Sequence, residues 1–169
     1  MMMEGYTDVM MVDQASIGSP IATLGTAMTE DHVKIIKRFQ VPLYLVYDSD
    51  QAGQKAVERS LPFFIKHGLD TRVISLPTGL DPCDYIVNAK GDYHLWNQLK
   101  ENAVEIFEFK LNRLITELGL DRLESKIKIA EEIMTDLKNC HDELRLDVYL
   151  SRLSEKLDID KKILTKRSN

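Results

Sequence analysis

A short apolar run that ends in two acidic residues constrains the fold of this chain more than any other feature. Residues Leu43–Tyr47 are mostly apolar and favour β structure, and Asp48-Ser49-Asp50 follow at once. A continuous apolar run bounded by turn residues is typical of a fully buried parallel strand. Ligands of open parallel sheets bind beyond the carboxyl ends of the strands, so Asp48 and Asp50 lie at a predicted functional edge.

These two acidic residues have two possible roles. They are two positions apart, so in extended backbone both carboxylates point to the same side. Carboxylates with room for water and phosphate suit Mg²⁺. Acidic side chains also cap helix N-termini, and a helix is predicted to begin at about Gln51. This segment alone leaves both interpretations open.

The first ninety residues alternate between predicted strands and helices. Besides Leu43–Tyr47, strands are predicted at Met1–Met3, Ile21–Leu24 and Thr71–Leu76. Helices between strands at this spacing indicate βαβ units with right-handed crossovers, and therefore a small parallel sheet flanked by helices. Pro62 lies inside the helix predicted from Gln51 to His67, and we expect it to kink or divide that helix.

Beyond Gly91 the pattern changes to helices, and no strand is predicted. Apolar residues recur at steps of three and four, which is typical of amphipathic helices packed in a bundle. The first of three such stripes consists of Val104, Phe107, Leu111, Leu114 and Leu118. We therefore expect two domains, an α/β domain over residues 1–90 and an all-α helical bundle subdomain over residues 91–169.

Composition limits the classes of function. The net charge is −5, without the basic excess expected of a free-standing nucleic-acid binder. Cys83 and Cys140 are the only cysteines and form no CxxC pair, so neither a disulfide framework nor a zinc site is expected. No apolar run approaches the ~20 residues of a membrane span, and the N-terminus lacks a signal peptide pattern. A cytoplasmic location without membrane attachment is therefore expected.

Acidic residues follow three of the predicted strands. Like charges crowded at one edge of a sheet cost energy unless cations neutralise them, and two or three Mg²⁺ or Mn²⁺ ions would do so while binding phosphate oxygens. Glu4 is the candidate for a raised pKa and for proton transfer. Lys55, one turn into the next helix, is a candidate phosphate contact. The acidic residues concerned are Glu4, Asp8, Asp48, Asp50, Asp81 and Asp84.

Four blocks of sequence resemble, in the same order, the Toprim portion of bacterial DnaG-type DNA primases. They are Glu4–Val9, Ala22–Ala27, Tyr47–Gly53 and Leu76–Pro82. A fifth segment, Asp147–Ile159, resembles the helical part that completes the RNA polymerase core of these enzymes. The resemblance implies a Toprim-like α/β domain followed by helices.

The resemblance also implies roles for individual residues. Glu4, Asp48 and Asp50 would be catalytic, and two or more Mg²⁺ or Mn²⁺ ions would be bound. Gly25 and Thr26 would line the same pocket. The metal ligands would be Glu4, Asp8, Asp48, Asp50 and Asp81.

One block departs from the family pattern. The last acidic block of the family usually reads Asp-Pro-Asp, whereas here Cys83 stands in the third place and Asp84 follows. The outermost metal position therefore depends on whether Asp84 replaces the missing aspartate.

The implied function is synthesis of short RNA primers on single-stranded DNA from nucleoside triphosphates, as part of DNA replication and the primosome. The zinc ribbon, the basic half of the polymerase core and the C-terminal helicase-binding domain of the family are not recognised in this chain. A replicative helicase is therefore expected to bind through a domain absent here, and the isolated fragment is expected to be weak or inactive. The alternatives are a Toprim-type metal-dependent nuclease or phosphodiesterase, and a degenerate non-catalytic Toprim scaffold.

Overall fold

A computed structural model describes residues 1–48 and 50–168, and these contain five strands and nine helices. In chain order the elements are β1 (Met2–Met3), α1 (Tyr6–Gln14), β2 (Ile21–Ala22), α2 (Glu30–Lys37), β3 (Leu43–Leu45), α3 (Gln51–His67), β4 (Thr71–Val73), α4 (Pro82–Ala89), α5 (His94–Glu101), β5 (Val104–Glu105), α6 (Ile106–Leu118), α7 (Leu123–Leu137), α8 (Glu143–Leu157) and α9 (Lys161–Ser168). In the part of the chain that the structure describes, no helix combines the length and the apolar character needed to cross a bilayer.

The strands form one mixed sheet in the order β2-β1-β3-β4-β5. The first four strands are parallel, with Met2 opposite both Ile21 and Leu45, and Leu45 opposite Val73. The carboxyl ends of these four strands therefore meet at one edge of the sheet. Strand β5 is antiparallel to β4 and closes the other end of the strand order.

Contacts divide the chain into two compact units, which we call the sheet unit and the helical unit. The sheet unit comprises Met1–Ser60 and Leu69–Ile106, and the helical unit comprises Leu61–Gly68 and the chain from Phe107 onward. This division by contacts does not coincide with the change of pattern near residue 90. The two domains expected from the sequence stay a prediction.

A buried apolar cluster holds the sheet unit together. The strands are short, but residues on and just after them are almost fully buried, and helices α1, α4 and α5 each contribute to the cluster. Each fully buried aliphatic or aromatic side chain favours folding by about 1.5–3 kcal/mol. The cluster therefore positions α1 and α4, which follow two of the three acidic turns. Helix α3, which follows the third, contributes no residue to it. The members of the cluster are Met3, Val12, Val46, Ile74, Leu76, Ile86 and Trp96.

Local sequence signals explain where two of these helices begin. The side chain of Thr29 accepts a hydrogen bond from the His32 N–H at 3.4 Å and so caps α2, as threonine commonly does at a helix N-terminus. Helix α4 begins with Pro82, whose fixed φ suits the first helical position, directly after the cap residue Asp81.

The helical unit buries much of the apolar stripes predicted from the sequence, whereas Leu123 and Ile127 on α7 stay exposed. Phe107 on α6 and Tyr149 on α8 are buried and stacked, with their ring centroids 4.4 Å apart. Leu111, Ile133 and Leu153 are also fully buried. A predominantly helical second half is thus confirmed.

The predicted small sheet flanked by helices is confirmed, but its fifth strand was not predicted. Val104 is not part of a long helix but pairs with Val73 as β5, because a β-branched residue at a sheet edge can satisfy the ladder of β4. The sheet is therefore mixed and not wholly parallel. Of the two outcomes expected for Pro62, division of the helix does not occur, because α3 runs without interruption from Gln51 to His67. The cost of an interior proline is about 3 kcal/mol, which burial of the neighbouring Leu61 and of Phe64 can offset.

Candidate functional site

The strand register brings the predicted acidic turns to one edge of the sheet. Met2 lies opposite Leu45, so Glu4 is level with Tyr47, two residues further along each strand. Met2 also lies opposite Ile21, which places Thr23 in the same row. Asp48 is the next residue beyond this row. Side chains far apart in the sequence therefore approach one another at the carboxyl ends of the parallel strands.

Glu4 lies within the electrostatic field of three other carboxylates. Burial raises the pKa of Glu4, and the charges of Asp48, Asp50 and Asp8 raise it further, in that order. Its Oε1 atom is buried, and no group in residues 1–48 or 50–168 donates a hydrogen bond to it. The position therefore favours a proton or a cation.

Asp8 is the most deeply buried acid of the group, with 6% of its surface exposed. Its Oδ1 accepts a hydrogen bond from the backbone N–H of Cys83 at 3.2 Å, which connects α1 to the first turn of α4. Burial raises the pKa of Asp8, the Cys83 N–H partly offsets this effect, and Asp81 and Asp84 raise the pKa further.

Cys83 therefore contributes its backbone to the site. The contact with Asp8 uses the amide, which any residue except proline would supply, so the Cys-for-Asp departure preserves this hydrogen bond. Burial, followed by the charges of Asp81 and Asp8, raises the pKa of the Cys83 thiol. The thiol thus stays protonated at neutral pH, which makes it a poor ligand for a hard cation.

Asp48 and Gly53 are in close contact through the backbone. Burial raises the pKa of Asp48, and the charges of Asp8, Asp81 and Asp50 add to this effect. A Cβ atom at Gly53 would collide with the carbonyl oxygen of Asp48, so only glycine fits where α3 passes this turn. Gly53 thus fixes the backbone that carries Asp48.

Two of the predicted metal ligands also act as helix caps. Asp50 Oδ1 accepts a hydrogen bond from the Gly53 N–H at 2.8 Å, and Asp81 Oδ1 accepts one from the Asp84 N–H at 2.7 Å. Both residues therefore cap a helix, which agrees with the capping interpretation for Asp50, but capping does not exclude metal binding, because the charges of both residues also act on Asp48.

A cavity of about 250 Å³ opens beside Glu4. One wall is the turn after β2, where Leu24 and Gly25 have positive φ angles of 54° and 76° and Thr26 donates both its N–H and its Oγ1 hydrogen to Thr23 O. The other lining residues come from the loop before α2, from the segment just after β3 and from α3. The lining residues are Glu4, Thr23, Gly25, Thr26, Ala27, Met28, Tyr47, Ala52, Ala56, Arg59 and Ser60.

The cavity includes some predicted site residues and excludes another. Gly25 and Thr26 line it together with Glu4, whereas Lys55 is exposed and is not among the described lining residues. Arg59, one turn further along α3, lines the cavity, and its Nε donates to the carbonyl oxygen of Lys55 at 3.2 Å. Tyr47 is buried in the lining, where burial and the charge of Glu4 raise its pKa to about 12.

Sequence reasoning missed Gly53 and Arg59, although both left a signal. A glycine in the first turn of a helix is unfavourable by about 1 kcal/mol relative to alanine, so its presence indicates a close backbone approach. Positions 52, 56, 59 and 60 recur at helical spacing and share one face of α3. Following that face from Ala52 leads to Arg59 and not to Lys55.

The donor set fits hard divalent cations by its chemistry. Carboxylate oxygens are the ligands that Mg²⁺ and Mn²⁺ prefer, and burial followed by the charges of neighbouring acids raises the pKa values of Glu4, Asp8 and Asp48. Among the described residues, however, no three histidine, cysteine or acidic side chains lie close enough together to hold an ion. The carboxylates share one electrostatic environment without forming a complete coordination shell.

Two family profiles match this chain. A profile described as Toprim-like matches residues 1–86, which contain all the acidic residues of the site. A profile described as the DnaB-helicase binding domain of primase matches residues 107–161, which lie in the helical unit. The second match corrects the expectation that the helicase-binding domain lies wholly outside this chain.

Similar proteins extend well beyond the length of this chain. A DNA primase from Clostridium acetobutylicum is 34% identical over 156 residues, which are 92% of this chain and 26% of the relative. The crystal structure of a DNA primase domain from Pseudomonas aeruginosa superposes with a TM-score of 0.82 at 32% identity, over 99% of this chain and 53% of that one.

A structure of the DnaG primase catalytic domain bound to single-stranded DNA gives a TM-score of 0.79 at 25% identity, over 96% of this chain and 52% of that one. This chain thus spans about a quarter of the curated relative and about half of the solved domains.

Proposed function

Because this chain belongs to the Toprim-like family and matches the Toprim-containing segment of bacterial DNA primases, we propose that its acidic cluster is the metal centre of a primer-synthesising nucleotidyltransferase. The mutual coupling of Glu4, Asp8 and Asp48 supports this proposal most directly. Burial raises the pKa of each, and each feels the charge of at least one other acid at the same sheet edge. Partly buried carboxylates this close together destabilise the folded protein unless bound cations neutralise their charges.

The acidic residues would have different roles in nucleotidyl transfer. Asp8, Asp48, Asp50 and Asp81 would hold two or more Mg²⁺ or Mn²⁺ ions, which neutralise the charge of the triphosphate and of the leaving pyrophosphate. Glu4 has a raised pKa and a buried Oε1 without a donor, so it is suited to accept the proton of the attacking ribose hydroxyl. The new bond joins that hydroxyl oxygen to the α-phosphorus, and pyrophosphate leaves.

The partners of the parent enzyme follow from the same premise. We infer that the template is single-stranded DNA, because the catalytic domain of a similar primase is described in complex with it. The substrates are nucleoside triphosphates. Residues 107–161 would contact a DnaB-type replicative helicase, and the site of action would be the cytoplasm, where the bacterial chromosome is replicated.

Titration with Mn²⁺, followed by electron paramagnetic resonance of the free ion, tests the metal centre. We expect Asp48→Asn and Asp8→Asn to weaken binding at least about tenfold. Asp13→Asn is the matched control, because Asp13 is an exposed acid on the same helix as Asp8. Failure of the wild-type chain to bind Mn²⁺ would support the scaffold alternative. Metal-dependent cleavage of nucleic acid without triphosphates would indicate the nuclease.

A further inference from the structure

One positively charged side chain, that of Arg59, lines the cavity beside Glu4 and has no role in the proposed metal centre. Arg59 is the only lysine or arginine among the described residues that line it. Its Nε donates to Lys55 O, and no carboxylate of the described residues forms an ion pair with its guanidinium. The terminal nitrogens of the guanidinium are therefore available to a ligand, whereas Lys34 on α2 is occupied by Asp31 at 2.8 Å.

The shape of the cavity limits what it can hold. Ala52 and Ala56 add only methyl groups to the lining, and a Cβ atom at Gly25 would meet no other atom within 4 Å, so small residues leave this cavity open. A volume of about 250 Å³ is below the roughly 300–1,000 Å³ of pockets that enclose a drug-sized ligand. The cavity therefore suits one end of a nucleotide and not a whole one.

We propose that Arg59, together with the turn from Thr23 to Met28, binds the polyphosphate end of a nucleoside triphosphate and the pyrophosphate that leaves it. This inference rests on the proposed function, since it assigns a part of the same substrate to a neighbouring cavity. The planar guanidinium matches the geometry of phosphate oxygens and can donate two parallel hydrogen bonds. The carboxylate of Glu4 lines the same cavity, so the phosphate chain would lie between the cation and the metal centre.

Charge makes the interaction depend on divalent ions. The neighbouring acids repel a free polyphosphate, and one arginine cannot compensate for six carboxylates. We therefore expect pyrophosphate to bind in the presence of Mg²⁺ and to bind much more weakly in its absence.

Isothermal titration of the 169-residue chain with pyrophosphate in the presence of Mg²⁺ tests the role of Arg59. We expect Arg59→Gln to weaken binding about tenfold or more, the usual effect of losing a hydrogen bond to a charged group. The pyrophosphate affinity of Arg59→Lys, which keeps the charge but loses the planar pair of donors, should lie between those of the wild type and of Arg59→Gln. Arg38→Gln is the matched control, because Arg38 is an exposed arginine at the end of α2 that does not line the cavity.

Lys55→Gln tests the alternative that Lys55, and not Arg59, contacts the phosphate. A larger loss for Lys55→Gln than for Arg59→Gln would overturn the assignment, and so would equal losses for Arg59→Gln and Arg38→Gln. Arg59→Gln should still bind Mn²⁺ as the wild type does, and loss of both ligands would indicate a general disturbance and also overturn it.

Two further outcomes distinguish the inference from the proposed function. Wild-type chain that binds Mn²⁺ but no pyrophosphate would refute the role of Arg59 and leave the metal centre standing. Pyrophosphate binding that depends on Arg59, in a chain without affinity for Mn²⁺, would refute the metal centre and support the anion site.

Discussion

Gly53 shows how a residue without a side chain can determine the geometry of an acidic turn. Its α-carbon lies so close to the carbonyl oxygen of Asp48 that a Cβ atom cannot be accommodated without moving the backbone. The acidic turn and the first turn of α3 are therefore packed as one piece. Asp50 strengthens this connection, because its side chain accepts the N–H of the same glycine.

We expect Gly53→Ala to destabilise the protein by about 1–3 kcal/mol, the usual cost of overpacking. Helix propensity alone predicts the opposite sign, a gain of about 0.5–1 kcal/mol, so the two effects are distinguished by direction. Urea unfolding measures the stability, and Mn²⁺ titration of the folded variant should show weaker binding because Asp48 is displaced. A more stable variant with unchanged metal affinity would contradict the close contact.

Asp8 should make stability depend on pH in a characteristic way. Burial raises its pKa in the folded protein, so folding favours the protonated carboxyl. Its ionised form therefore costs stability once the pH rises through the raised pKa, and it costs nothing below the ordinary pKa of aspartate.

Without divalent ions, Asp8→Asn should raise the free energy of unfolding at pH 7 by an amount on the order of 1 kcal/mol. The gain should disappear as the pH is lowered below the ordinary pKa of aspartate, and added Mn²⁺ should reverse it by stabilising the wild type more. The asparagine oxygen can still accept the Cys83 N–H, so the packing is preserved. Asp13→Asn, on the exposed side of the same helix, should show no such gain. A gain that persists unchanged at low pH would exclude the electrostatic explanation.

At the level of the elements, Asp81 at the start of α4 has an observed capping role and a proposed metal-binding role. Asp81 caps the helix through the Asp84 N–H, and its charge also raises the pKa values of Asp8 and Asp48. The sequence suggests both roles but cannot choose between them, because a capping acid and a metal-binding acid occupy the same position after a strand.

Substitution by serine separates the two functions of Asp81. Asp81→Ser keeps a cap but removes the charge, so stability should change by only a few tenths of a kcal/mol, whereas Asp81→Ala should cost about 1 kcal/mol. Both variants should bind Mn²⁺ more weakly. Chemical denaturation and metal titration of the same samples provide the two measurements. If Asp81→Ser bound Mn²⁺ like the wild type, capping would be the only role of this residue.

The helical unit contains a buried ion pair that connects two helices. Lys110 on α6 lies 2.8 Å from Asp136 on α7 and 3.1 Å from Glu132, and only 6% of Lys110 and 7% of Asp136 are exposed. Burial raises the pKa of Asp136, and the hydrogen bond and charge of Lys110 counteract this effect. Removing either charge of this pair would therefore leave the other buried without its partner and destabilise the fold.

We expect Lys110→Met to lower the free energy of unfolding by about 3–5 kcal/mol, because it leaves Asp136 charged, buried and without its cation. The double variant Lys110→Met/Asp136→Leu should recover most of this loss, since both charges are then removed. Urea unfolding of the wild type, the two single variants and the double variant forms a complete cycle. Additive losses would show that the pair is not coupled.

For the whole molecule, the α/β order, the acidic edge and the helical second half were predictable because each depends on local pattern. Leu43–Tyr47 and the turn after it need no partner to be recognised. The strand at Val104 was not predictable, since its two residues form a strand only because β4 offers an edge. The role of Arg59 was hidden for the same reason, because the cavity exists only after the turn at Gly25 lies beside α3.

We expect the 169-residue chain to bind Mn²⁺ but to make little primer by itself. Its net charge of −5 gives no broad basic surface for a template, and salt-dependent attraction by lysine and arginine supplies much of the affinity for nucleic acid. Incorporation of labelled ribonucleotides on single-stranded DNA measures the activity, with a longer bacterial primase as the positive control. Robust primer synthesis by the chain alone would contradict this prediction.

Strand β1, with only two residues, has the greatest influence on which changes of sequence length this protein can tolerate. Strand β1 pairs on both sides, and Met3 points into the core while Glu4, the next residue, emerges at the working edge. Removing or adding one residue before Glu4 would exchange these two faces and move the carboxylate by about 3.3 Å. Insertions and deletions should therefore be far less tolerated here than substitutions, and changes of length in related chains should occur in the loops that follow the sheet.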